Sequence, residues 1–142
     1  MPRTLAPRIP AVAAVMLVAT VALTGCVAHV TRPADEYNGE PKGVDAPASS
    51  AGGAAWAAWM QNGGQIAIVL YGSSSCPPKV ASISVSSARE LKATLAPAPG
   101  GVCTRDYMPH TTIFPTPSGL KTTSDVSVVL PDATLTLPGL PG

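Results

Sequence analysis

Gln65-Ile66-Ala67-Ile68-Val69-Leu70-Tyr71 is apolar at every position from Ile66 to Leu70. An apolar run of this length suits a central strand buried on both faces. Gly72-Ser73-Ser74-Ser75-Cys76-Pro77-Pro78 then breaks the chain sharply. Downstream, Lys79 to Ser86 alternates, with Val80, Ser82, Ser84 and Ser86 on one side and Ala81, Ile83 and Val85 on the other. Glu90 to Ala96 alternates again, with Leu91, Ala93 and Leu95 opposite Lys92 and Thr94. Between them, Ser87-Ala88-Arg89-Glu90 matches a helix capping box, but period-2 patterning on both sides favours a hairpin. Pro97-Ala98-Pro99-Gly100-Gly101 reads as a loop, and Thr111 to Phe114 as a strand ended by Pro115 and Pro117. Val126–Leu130 and Thr134–Leu137 are two further β runs joined by a turn at Pro131-Asp132-Ala133.

Upstream, Ala54-Ala55-Trp56-Ala57-Ala58-Trp59-Met60 predicts a short helix, capped by Ser49 or Ser50 and stopped at Asn62-Gly63-Gly64. Helical spacing would put Trp56, Trp59 and Met60 on one face, packed on the sheet. The expected fold class is therefore all-β. It is a small antiparallel β-sandwich or open barrel of five to six strands with one short N-terminal helix.

The N-terminus has a different character. Arg3 and Arg8 precede an apolar run from Ala11 to Leu23, thirteen residues long. As a helix it would span roughly 20 Å, short of a ~30 Å hydrocarbon core, which suits a secretory signal better than a stable membrane span. The run closes on Leu23-Thr24-Gly25-Cys26, which resembles the lipobox of bacterial lipoproteins. The resemblance implies a diacylglycerol thioether on Cys26, cleavage after Gly25, and residence on the extracytoplasmic face of the cell membrane. Two or three fatty chains on one cysteine hold far better than a single chain, at ~0.8 kcal/mol per buried CH2. Residues 1–25 are thus expected to be a lipoprotein signal peptide and 26–50 the lipidated cysteine with a flexible linker. Residues 51–142 are expected to form the β domain. Pro33, Pro41, Pro47, Gly39 and Gly43, with almost no periodic apolar residue, motivate the linker.

Loss of Arg3 and Arg8 with the signal would leave seven basic against eight acidic residues, with no basic run. That charge pattern excludes a nucleic-acid footprint and a basic membrane-surface patch. A domain of this size with few aromatics has a modest core and often carries a covalent staple. With Cys26 lipidated, Cys76 and Cys103 remain as an even pair in an oxidising compartment, and a Cys76–Cys103 disulfide is expected. Neither belongs to a C-x-x-C pair of the kind that marks redox or metal sites.

Two blocks, Gly72-Ser73-Ser74-Ser75-Cys76-Pro77-Pro78 and Cys103-Thr104-Arg105-Asp106-Tyr107, follow and precede strands, and Pro109-His110-Thr111-Thr112 comes after the second. On these blocks the chain resembles small actinobacterial lipoproteins over roughly residues 56–140. The resemblance implies an all-β extracytoplasmic domain and carries over no catalytic residue.

The disulfide would gather Ser73, Ser74, Ser75, Arg105, Asp106 and His110 at one edge of the sheet. Hydroxyls, one cation and one imidazole suit a small polar or anionic ligand. The leading expectation is a membrane-anchored, non-enzymatic lipoprotein in ligand binding or cell-envelope structure, with no catalytic residues, no metal and no cofactor. One alternative is a surface hydrolase using the Ser73–Ser75 loop and His110. That loop is no G-x-S-x-G elbow, since Cys76 stands where the second glycine belongs. A further alternative is a metal-binding lipoprotein using Met108 and His110, although a blue-copper centre needs a second histidine. The membrane is the expected partner through Cys26, with no nucleic acid and an unknown protein or small-ligand partner.

Overall fold

The computed structural model describes residues 1–2 and 29–142; the segment expected to be a signal peptide and the expected lipidation site Cys26 lie outside the described residues. No helix among the described residues is long and apolar enough to cross a membrane. Among the described residues, nine strands form two sheets. They are β1 (Val30–Thr31), β2 (Asp35–Asn38), β3 (Trp56–Met60), β4 (Gln65–Gly72), β5 (Val80–Ser87), β6 (Glu90–Leu95), β7 (Met108–Pro115), β8 (Val126–Val129) and β9 (Thr134–Leu137). One sheet has the order β1-β5-β6-β8-β9 and the other β2-β7-β4-β3. All pairings are antiparallel except β6 with β8.

The two sheets share one core. Ile66, Ile68, Leu70 and Phe114 of the four-stranded sheet cluster with Val80, Ile83, Leu91, Val126, Val128 and Leu137 of the five-stranded sheet. Strand β4 is central, and its residues from Ile66 to Leu70 are all buried. Ile66, Ile68 and Leu70 face the core. Ala67 and Val69 point the other way and are still buried. Their cover is the chain over residues 39–55. Thr111 donates its hydroxyl to the Gly39 carbonyl at 2.6 Å, and Tyr71 donates to Glu40 at 3.0 Å. Pro41 and Ser50 are buried in the same stretch.

Three expectations are corrected. Residues 54–60 are not a helix: Trp56–Met60 is strand β3, paired with β4 from Trp56↔Val69 to Met60↔Gln65. A helix of two turns is marginal in water whatever its alanine content, so sheet pairing beside an apolar strand prevails. Trp56 and Trp59 consequently lie on opposite faces of the sheet rather than sharing one. Secondly, the described residues form nine strands rather than five or six.

Thirdly, the stretch read as a flexible linker, 26–50, supplies β1 and β2. Val30 pairs with Ser84 at the edge of one sheet, and Asp35–Asn38 pairs with β7 at the edge of the other. Both are short and polar, so no periodic apolar signal announced them. Val30 stands four positions after Cys26, a reach of at most about 14 Å, not the several tens of Å that a 24-residue tether would give.

Strand β5 carries a finer correction. A register shift between Val80 and Ser82 leaves Val80 on the core side together with Ile83. A bulge adds one residue and flips the side-chain phase, so strict alternation from Val80 mis-assigns it. The Ser87–Glu90 segment is the hairpin favoured over the capped helix, with Ser87 paired to Glu90.

Candidate functional site

The disulfide forms as expected: Cys76 and Cys103 are bonded, with Cα atoms 5.5 Å apart. It ties the β4–β5 connection to the β6–β7 connection. Gly72, which ends β4, permits the sharp exit, because a Cβ there would sit 2.6 Å from Pro78 Cδ. The bond brings Ser73, Ser74 and Ser75 against Thr104 and Asp106.

Thr104, which carried no role in the sequence reading, is the centre of this cluster. Its hydroxyl lies 2.8 Å from the Ser73 hydroxyl, 3.3 Å from that of Ser74 and 3.2 Å from that of Ser75. It also donates to Asp106 Oδ1. The backbone N–H of Ser74 donates to the same carboxylate oxygen at 3.0 Å, and the Thr104 N–H donates to the Ser75 hydroxyl at 2.9 Å. A threonine hydroxyl has one proton and two lone pairs. With its proton on Asp106, Thr104 accepts from its serine neighbours, and the Ser73 and Ser75 hydroxyls also lie within hydrogen-bond distance of each other at 3.3 Å. The only sequence signal for this role was Thr104's place beside Cys103.

Asp106 is fully at the surface, yet hydrogen bonds from Ser74 and Thr104 hold its carboxyl down at about 2. A carboxylate that accepts several N–H and O–H bonds favours its charged form. Arg105 is exposed and makes no ion pair among the described residues.

His110 is placed differently from the expectation. It lies on β7 opposite Leu70, on the core face, and is only 4 % exposed. Asn38, its partner on β2, donates its amide N–H to the Ser74 carbonyl at 3.1 Å. That contact fixes the amide, so Asn38 Oδ1 accepts from His110 Nδ1 at 2.9 Å. The ring therefore carries its proton on Nδ1, and Nε2 is a buried lone pair with no partner. Burial pushes the imidazole pKa down from its ordinary value; the Lys79 charge adds to this and Glu36 opposes it. No serine hydroxyl is hydrogen-bonded to His110 among the described residues; the serines bond to Thr104 and the imidazole to Asn38. Met108 is two residues earlier on the same strand face but is 47 % exposed. No three His, Cys, Asp or Glu side chains converge as a cage among the described residues.

Two tyrosines close the cluster. Tyr107 stacks on Tyr71 with ring centroids 5.7 Å apart, and its hydroxyl donates to the Gly53 carbonyl at 3.0 Å. The residue is still 61 % exposed. The site is thus a polar, disulfide-pinned rim joined on one side to the 39–55 cover and on the other, through Asn38, to a buried histidine. Comparison with protein-family models, curated proteins and solved structures finds no match for this chain.

Proposed function

We propose that this chain is an extracytoplasmic binding protein, anchored to the membrane through lipid on Cys26 and without enzymatic activity. The observation that carries the reading is the disulfide-pinned cluster at Ser73–Ser75, Thr104 and Asp106. A disulfide belongs to oxidising compartments, in keeping with the signal-like N-terminus. Loops fixed on a rigid scaffold are where recognition residues concentrate. The ligand that fits is small and rich in acceptor oxygens, a carboxylate or phosphate group facing the Arg105 fork at the serine-lined rim. The bonding of His110 to Asn38 rather than to a serine favours binding over hydrolysis. The burial of His110 beside an exposed Met108 favours it over metal capture.

Two measurements test the reading. Cys26→Ser should move the protein from the membrane fraction to soluble or unprocessed forms; unchanged membrane retention of correctly cleaved protein sinks the anchor. Inorganic phosphate and citrate, titrated against the full chain in detergent, should shift the amide resonances of residues 73–75 and 104–106. Arg105→Ala should abolish those shifts while leaving the melting temperature unchanged. If the shifts survive, or if the variant instead melts earlier, Arg105 is structural and the rim is not the site.

A further inference from the structure

The disulfide rim caps one end of the sandwich. Strand β4 runs into it at Gly72, β5 leaves it at Val80, β6 returns to it after Leu95 and β7 leaves it at Met108. The opposite end is organised on the β7–β8 connection, residues 116–125. There the Thr116 N–H donates to the Gly64 carbonyl at 3.0 Å, which ties in the turn between β3 and β4. The Lys121 N–H donates to the Ala88 carbonyl at 2.7 Å, which ties in the β5–β6 hairpin. The Leu140 N–H donates to the Thr122 carbonyl at 2.8 Å, which ties in the chain after β9.

Strand β1 decides which end lies nearer Cys26. It is antiparallel to β5, with Val30 opposite Ser84 and Thr31 opposite Ile83. The chain therefore enters β1 from the hairpin side and runs toward the rim. At ~3.3 Å per residue, Ser87 stands about 10 Å from Ser84 in one direction and Val80 about 13 Å in the other, with the rim loops beyond Val80. The four positions from Cys26 to Val30 reach at most about 14 Å. With lipid on Cys26 seated in the hydrocarbon, the headgroup layer takes roughly 5–8 Å of that reach. The remainder matches the distance to the hairpin and falls short of the rim. Arg89 and Lys121 are exposed at the hairpin end, with Glu90 and Asp125 exposed beside them. The two signs balance, so the tether and not anionic lipid sets the contact.

We propose that the end built on the β5–β6 hairpin and the β7–β8 connection rests on the lipid headgroups, and that the rim opens to the water phase. The rim then takes its carboxylate or phosphate from solution and not from a headgroup of the bilayer that holds the chain. This orientation rests on the lipid anchor at Cys26.

The test uses the full lipidated chain in phosphatidylcholine nanodiscs doped with a lipid whose headgroup carries a nitroxide. The amides of Asn62, Ala88, Arg89 and Lys121 should broaden at least threefold more than those of Ser74, Ser75, Thr104 and Asp106. A twelve-residue Gly/Ser insert between Val27 and Ala28 adds roughly 20 Å of root-mean-square reach. It should keep the chain on the discs and erase the contrast. Inorganic phosphate should shift the rim amides on the discs as it does in detergent, whereas phosphatidic acid in the discs should leave them unmoved. Four results on disc-bound chain overturn the orientation while leaving the anchor standing. They are rim amides that broaden as much as the hairpin end, a contrast that survives the insert, a rim shift caused by phosphatidic acid, and a phosphate response seen in detergent but lost on the discs. Chain that does not stay on the discs overturns the anchor itself, and the orientation with it.

Discussion

His110 makes the stability of the fold sensitive to pH just below neutrality. Its pKa is lowered by burial and by Lys79, so the unfolded chain binds the proton more readily than the folded one. Stability is then full above the unfolded value of about 6.5 and falls as pH drops from there toward the folded value. The expected outcome is a loss of denaturant midpoint that begins as pH falls below about 6.5, above the range where ordinary carboxylates titrate. His110→Leu should flatten that slope, and chemical denaturation at a series of pH values checks it. Asp106 acts with the same sign at lower pH. Its pKa of about 2 rests on Ser74 and Thr104, so its contribution is present above the ordinary carboxylate value and is lost as pH falls toward 2. Thr104→Val should raise the Asp106 pKa, measured by carbon NMR of its carboxyl. An unmoved titration would mean that the Ser74 bonds suffice without Thr104.

At the scale of the element, Gly53 shows how the cover is tied down. It holds φ +83°, and a Cβ would lie 2.3 Å from Tyr107 Cε1. Gly52 has φ +81° with nothing within 4 Å of its Cβ position. Both Gly→Ala variants carry the left-handed cost of about 1–2 kcal/mol, but only Gly53→Ala also displaces Tyr107 from Tyr71. The Gly53 variant should be the less stable of the two, and a change in tyrosine fluorescence should appear in it alone. The same scale shows what could be read from sequence. The apolar run at Ile66–Leu70 and the hairpin at Val126–Leu137 were legible because burial imposes a pattern on them. Strand β3 was not, because Ala-Ala-Trp-Ala-Ala-Trp has helical propensity and owes its extended form to β4, a tertiary partner. Strands β1 and β2 were not legible either: edge strands of two and four residues with polar side chains leave no periodicity. In the site, the cysteine pairing could be read from the even count left once Cys26 is set aside, and the serine loop from the Gly72–Pro78 break after an apolar run. The hub at Thr104 and the burial of His110 depend on register across β2, β7 and β4, which local sequence does not encode.

For the whole molecule, the disulfide is the largest single constraint on the unfolded state. It closes a separation of 27 residues, worth about 3.5 kcal/mol in the chain-entropy account. Cys76→Ser/Cys103→Ser should lower unfolding stability by that order and free the serine loop from Thr104. Urea denaturation with and without reductant measures the first, and amide exchange at Ser74 and Ser75 the second. A stability loss below about 1 kcal/mol would show that β5 and β6 already hold the loop ends together. The position of β1 has a further consequence, for how the molecule searches. If Cys26 carries the proposed lipid, pairing that begins at Val30 would leave the domain almost no slack in height above the bilayer. Its encounters would then be two-dimensional, a low, slowly tumbling body sweeping the membrane surface. It would meet partners that share that surface, or chains that reach down to it, far more often than solutes in the bulk.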